Sequence, residues 1–179
     1  MDHRSLLLLG LLISQSQHGY QIHDFIETNL PFITDMKKAT AYAHLEKLSK
    51  GKYIDVSVEQ EGSRPPRKVY SINNQGMELF YQLLAENLAA ADTVFYEGDI
   101  GLMFLDHLPV EDTVHYLNKR RKDLEKKHHA VQLTPLHDTS KGVNIAFQHK
   151  KKMLEAELSF LNETIQQLKA SPDYNKEVE

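Results

Sequence analysis

The hydrophobic period of this chain changes at Gly51, and that change restricts the fold more than any other feature. Upstream, apolar residues recur at helical spacing in three successive segments. The first is the run 6–13, within a helix expected over residues 3–14. The second carries Tyr20, Ile22, Phe25, Ile26 and Leu30, and the third Met36, Ala39, Tyr42 or Ala43, Leu45 and Leu48. Downstream, Ile54, Val56 and Val58 alternate with Tyr53, Asp55, Ser57 and Glu59, the period of a half-buried strand. Residues 68–72 read as a second strand, and residues 61–66 join the two as a hairpin with a basic tip. Helical spacing then returns over residues 74–91, with Met77, Phe80, Leu83, Leu84 and Leu88 facing inward. Three helices, a two-stranded ribbon and a further helix make a winged helix-turn-helix.

The local signals fit that order. Gly19 ends the polar stretch after the first helix, and Pro31 stops the second because proline disfavours helical geometry in the residue before it. Thr34 or Asp35 is expected to cap a third helix over residues 36–50 by accepting from a free N–H of its first turn. Gly51 is expected to end that helix in a left-handed conformation, and Asn73 to cap the fourth.

The remainder shows no strand signal. Residues 92–108 read as one or two short helices, with Gly98 and Gly101 weakening a continuous one, and Pro109 restarts the chain. From residue 110 to 133, and again from 147 to 168, apolar positions recur in steps of three and four, as along a coiled-coil seam. The breaker-containing segment 134–142 lets the two long helices fold back as a hairpin. A lone helix pair leaves apolar surface bare, so a second copy of the chain is expected to cover it. Leu117, Leu124, Leu154, Leu158, Leu161, Ile165 and Leu168 are the expected dimerisation residues, with a plain intrachain hairpin as the alternative. The fold class is therefore mainly α with a small β-hairpin. A winged domain over 1–91 is followed by a connecting segment over 92–109 and a long-helix dimerisation domain over 110–179, whose tail 171–179 is expected to be disordered.

Composition removes several classes of function. With no cysteine, disulfides, thiolate metal sites and cysteine nucleophiles are excluded, and a cytoplasmic location is the default. The apolar run 6–13 is too short to span a bilayer, which takes roughly 20 residues, so no membrane is expected. The ten histidines are scattered without a zinc-binding pattern, and no phosphate loop or nucleophile elbow is present. Neither metal, cofactor nor enzymatic activity is expected. The net charge of −4 argues against indiscriminate binding to polyanions. Locally the sign reverses. Between residues 36 and 68, Lys37, Lys38, Lys47, Lys50, Lys52, Arg64, Arg67 and Lys68 face only Glu46, Asp55, Glu59 and Glu61, eight cations against four acids.

The stretch Leu7-Leu8-Leu9-Gly10-Leu11-Leu12, then His18-Gly19-Tyr20, then Ala39-Thr40-Ala41-Tyr42 with Leu45 and Leu48, resembles the opening helices and recognition helix of the PadR family. Gly51 and Ile54, followed by Pro66-Arg67-Lys68-Val69-Tyr70, Ile72 and Gly76, are similar to that family's wing and the start of its next helix. The resemblance covers roughly residues 5–90. Ala39, Ala41 and Ala43 stand where the family usually has a small residue or glycine, leucine and proline, and Asn73 where it has threonine. Alanine favours helix and asparagine caps as threonine does, so these departures leave the fold intact while changing the surface turned to bases.

The resemblance implies a dimeric transcriptional regulator that binds double-stranded operator DNA and responds to a small-molecule effector. A recognition helix reads base edges in the major groove while cations on loops hold phosphates and set the register. The candidates are Lys37, Lys38 and Thr40 at the start of the third helix, Tyr42 through its hydroxyl, and Arg64, Arg67 and Lys68 on the wing. Repression of an inverted-repeat operator by a homodimer is the expected mode. A winged helix used only for protein contact is the alternative. Phe95, Tyr96, Phe104 and Tyr116 are the candidate effector pocket, set against their packing as ordinary core.

Overall fold

Asp2 starts the first helix by accepting from the backbone N–H of Ser5 at 3.0 Å and from its hydroxyl at 2.8 Å. The computed structural model describes residues 2–14, 17–60, 66–91, 93–134 and 141–171, and it divides into two compact units, Met1–Thr93 and Val94–Glu179. In the first unit, α1 (His3–Ser14) buries Leu8, Leu9 and Leu12. It packs against α3 (Lys38–Lys50) and α4 (Asn74–Ala89). Helix α2 (Gly19–Asn29) contributes Ile22 and Ile26, and α3 contributes Ala41, Leu45 and Leu48 to the same core.

The ribbon is β2 (Ile54–Glu59) and β3 (Arg67–Ile72), antiparallel, with Ile54 opposite Ile72 and Glu59 opposite Arg67. A two-residue strand, β1 (Gln17–His18), adds to the other edge of β3 and pairs His18 with Val69, so the sheet order is β1-β3-β2. Spacing alone does not reveal this strand, because two residues carry no period. Asn73 caps α4 as expected, accepting from Gly76 N–H at 3.0 Å.

The second unit opens with α5 (Gly98–Met103) and a 3-10 turn (Leu105–His107). Two long helices follow, α6 (Val110–Gln132) and α7 (Lys141–Ala170). They run antiparallel along one seam, since Arg121 bonds Asn162 at 3.1 Å while His128, seven residues on, reaches Glu155, seven residues back. Val114, Leu117, Leu124, Val131, Phe147, Leu154, Leu161 and Ile165 are buried. No described helix is long and apolar enough to cross a membrane.

Several local expectations are corrected. Helix α3 starts at Lys38 with Lys37 at the N-cap position and no side-chain cap. Thr34 instead turns the chain one step earlier, its hydroxyl accepting from Met36 N–H at 3.2 Å. Gly51 is right-handed (φ −76°), and Lys52 takes the positive φ of 59°. Glycine is required at 51 for space, because a Cβ there would lie 2.7 Å from the Tyr53 ring. On β2 only Ile54 is buried; Val56 and Val58 stand out in solvent beyond the core. Leu88, Tyr20 and Phe25 are also exposed. The segment 135–140 and the tail 172–179 lie outside the described residues, so expectations for them have no structural counterpart.

Candidate nucleic-acid interface

Helix α3 presents its first turn to solvent. Lys37 and Lys38 are exposed, Ala39 and Ala43 leave an exposed face without bulk, and Thr40 and Tyr42 are half-buried. Further along the helix the cations are paired. Lys47 Nζ sits 2.8 Å from Asp2 of α1, and Lys50 Nζ 2.7 Å from Glu46. Burial of the Asp2 carboxyl opposes its ionisation. The bonds from Lys47 and Ser5 outweigh that and hold its pKa well below the usual carboxylate range. Glu46 is likewise lowered, first by its hydrogen bond from Lys50. Among the described residues no carboxylate lies within 4 Å of Lys37, Lys38, Arg67 or Lys68.

The wing contributes from both faces of one strand. Successive residues of a strand point to opposite sides. Lys68, Tyr70 and Ile72 therefore share the side of Ile54, and the field of Lys68 reaches Glu46 of α3. Arg67 shares the other side with Val69 and, across β1, His18. Its guanidinium lies 5.2 Å from the centre of the Tyr20 ring, and that ring stacks on His18 at 5.6 Å.

Gly19 brings α2 and α3 together here. A Cβ at residue 19 would lie 2.6 Å from the Tyr42 ring, so the tyrosine packs on bare backbone. The result is an open groove of about 480 Å³ lined by His18, Tyr20, Tyr42, Arg67, Lys68 and Tyr70. Burial raises the Tyr70 pKa, as do Tyr42 and Glu46, so its hydroxyl stays protonated. Three phenols and two cations thus line one open groove. A second groove, about 560 Å³, runs from His3 and α2 to the segment before α3; of the sequence-expected residues it includes only Lys37.

Residues 8–82 match the model of the transcriptional regulator PadR-like family. The matched residues fall within the first unit, which is similar to that family. Solved structures extend the likeness of fold along the chain. Bacillus subtilis PadR in complex with operator DNA superposes with a TM-score of 0.80 at 18% identity, covering 92% of this chain and 98% of that one. The same protein in complex with p-coumaric acid gives 0.77 at 17% identity, covering 92% and 97%. The virulence activator AphA of Vibrio cholerae gives 0.75 at 16%, covering 93% and 98%. No curated protein matches the chain.

In the first unit Tyr42 of α3 lines one groove with Arg67 and Lys68 of β3, whereas Lys37, Lys38 and Thr40, at the start of α3, do not line it. Arg64 lies in residues 61–65, outside those described. Sequence reasoning missed His18 and Tyr20 as neighbours of Arg67. The signal was present in the tripeptide His18-Gly19-Tyr20, but its meaning depends on the pairing of β1 with β3. The expected dimerisation residues have a different immediate use. Leu117, Leu124, Leu154, Leu161 and Ile165 are buried against one another inside one chain, with Leu158 and Leu168 half-buried beside them. The candidate effector aromatics Phe95, Tyr96, Phe104 and Tyr116 are all exposed, Phe95 at 88%, and line neither groove.

Proposed function

We propose that this PadR-like regulator binds operator DNA as a two-fold dimer, α3 entering the major groove and the ribbon following the backbone. The observations that carry the reading are Lys37 and Lys38, exposed at the start of α3, and Arg67 and Lys68, which line one groove with half-buried Tyr42; among the described residues none of the four has a carboxylate within 4 Å. Cations with no acidic partner among the described residues supply phosphate contacts, and the low bulk of Ala39 and Ala43 lets the helix approach base edges. Bacillus subtilis PadR, of like fold, was solved on operator DNA, which supports the assignment.

Dimerisation follows from α7. At about 100° per residue, Met153 and Phe160 lie about 100° round the helix from the adjacent seam residues Leu154 and Leu161, and Ile145 lies opposite Phe147, so the three form a stripe off the seam of Phe147, Leu154, Leu161 and Ile165. These three are exposed at 65%, 40% and 47%. A second chain covering that stripe gives the two-fold arrangement an inverted repeat requires, with half-sites about 34 Å apart. Repression relieved by a small-molecule effector, in the cytoplasm, completes the reading. The same fold solved with p-coumaric acid supports an effector without naming this one's.

The test is selection from random duplexes at two salt concentrations, with sequencing of the bound fraction. Enrichment of an inverted repeat is expected. No enrichment and no salt-dependent binding at micromolar concentration, from folded protein, would transfer the wing to protein contact.

A further inference from the structure

Arg67 stands opposite Glu59 in the register of the ribbon, yet among the described residues the two form no ion pair within 4 Å. The Glu59 carboxylate instead lies 3.9 Å from His18 Nε2, and the Arg67 guanidinium rests over the Tyr20 ring. A ring face attracts a cation through its quadrupole without neutralising it, whereas a carboxylate would cancel its charge. An exposed arginine on the first residue of a strand has many rotamers, and holding one of them costs conformational entropy. The Tyr20 ring limits that freedom, and its own orientation is set by stacking on His18, which β1 fixes through the His18–Val69 pair.

We propose that Tyr20 is a positioning residue for DNA binding: with His18 behind it, it holds the Arg67 guanidinium away from Glu59, charged and aimed for a backbone phosphate. The inference deepens the regulator reading and rests on it for the phosphate. The ladder Glu59, His18, Tyr20, Arg67 links a short strand, a helix start and both strands of the wing. It gives the tripeptide His18-Gly19-Tyr20 a division of labour. Gly19 admits the Tyr42 ring, and its two neighbours set Arg67.

The experiment compares the full-length protein with Tyr20→Phe, Tyr20→Ala, Arg67→Ala and the double alanine variant, all checked for intact folding by circular dichroism. Two readouts are used. In arginine side-chain NMR spectra, the Nε–H signal of Arg67 should be displaced by the ring in the parent and in Tyr20→Phe, and relax in Tyr20→Ala. In titrations with mixed-sequence duplex across salt, Tyr20→Ala should weaken binding ~2–5-fold, the span of an exposed cation–π interaction, while Tyr20→Phe matches the parent. Adding Tyr20→Ala to Arg67→Ala should change nothing further. Glu59→Gln should restore part of the affinity that Tyr20→Ala removes, because the competing charge is gone. An Arg67 signal indifferent to Tyr20→Ala overturns the proposal whatever happens with DNA. Additive effects in the double variant overturn the phosphate role. If the parent binds no DNA while the signal shifts as expected, the regulator reading and the phosphate role both fall, and only the ring interaction stands.

Discussion

The two units solve the same packing problem differently. In the first, α1 lies among α3, α4 and β3, and the core closes within the unit. Leu8, Leu9, Ile22 and Leu45 are wholly buried, and the exposed face of α3 is left to lysines and alanines. In the second, α6 and α7 share one seam, and a helix pair by itself leaves the opposite side of each helix open. Helix α7 therefore carries two apolar stripes, one against α6 and one toward solvent. Thirteen buried side chains form the first unit's core cluster, whereas Ile145, Met153 and Phe160 remain uncovered in the second. One unit closes its core on itself; in the other an apolar stripe is left exposed, the surface to which the proposed dimer is assigned.

The sharpest way to break this contrast is to charge the bare stripe. Met153→Glu with Phe160→Glu leaves the α6–α7 seam untouched but would bury two unpaired carboxylates in a dimer. The dimer dissociation constant should rise about a thousandfold or more, since each buried unpaired charge costs ~2–5 kcal/mol. Analytical ultracentrifugation should find a monomer with undiminished helix content. A variant that remains dimeric at the parent's affinity would place the partner surface elsewhere.

Next in size is a pair of cavity mutations. Leu45→Ala in the first unit and Leu161→Ala in the seam, both fully buried, should each lower stability by about 2–5 kcal/mol. Calorimetry should show them acting on separate transitions, with the Leu161 transition depending on protein concentration and the Leu45 transition not. A single transition shifted equally by both would mean that the units unfold as one, and the contrast would fail.

Much of this was legible in the sequence, and the boundary of legibility has a physical cause. Period and capping are local, so the ribbon, the Asn73 cap and both long helices could be read from residue spacing. What covers a stripe is not local. The spacing of Leu117, Leu124, Leu154 and Leu161 identifies a seam, but a seam within a chain and one between chains require the same leucines. The second stripe, Ile145, Met153 and Phe160, is sparse, and only the burial of the first reveals it. At the interface the same division holds. Lys37, Lys38, Arg67 and Lys68 were visible as a local excess of charge. Their pairing states depend on Asp2 and Glu46 removing Lys47 and Lys50 from the available set, and on β1 delivering Tyr20 to Arg67. Helix ends were read less well, because Thr34 can cap a helix or turn a loop with the same hydroxyl.

A smaller effect tests whether the first unit is tied together as described. Replacing Arg67 and Lys68 together by alanine should reduce the slope of log affinity against log salt by roughly two, about one for each phosphate no longer neutralised, with stability unchanged. An unaltered slope in folded protein would remove the wing from the DNA-facing surface and leave α3 alone.

The smallest expected effect concerns Asp2, which joins the start of α1 to Lys47 at 2.8 Å and lies 3.6 Å from His44 of α3. Asp2→Asn keeps a capping side chain and removes only the charge, so it isolates the ion pair from the cap. Lys47 is largely exposed, and the loss near neutral pH should be modest, ~0.5–1 kcal/mol. The pH dependence has a definite sign. The folded-state pKa of Asp2 is depressed, so the unfolded chain takes up this proton first. The stabilisation is complete above the ordinary aspartate pKa of about 3.9 and is lost as pH falls through the lower folded value. Thermal unfolding of the parent and Asp2→Asn should therefore differ by a constant amount from neutral pH down to about pH 5, and converge below about pH 4. A gap that persists undiminished as acid is added would show that the carboxylate charge is not what fastens α1 to α3.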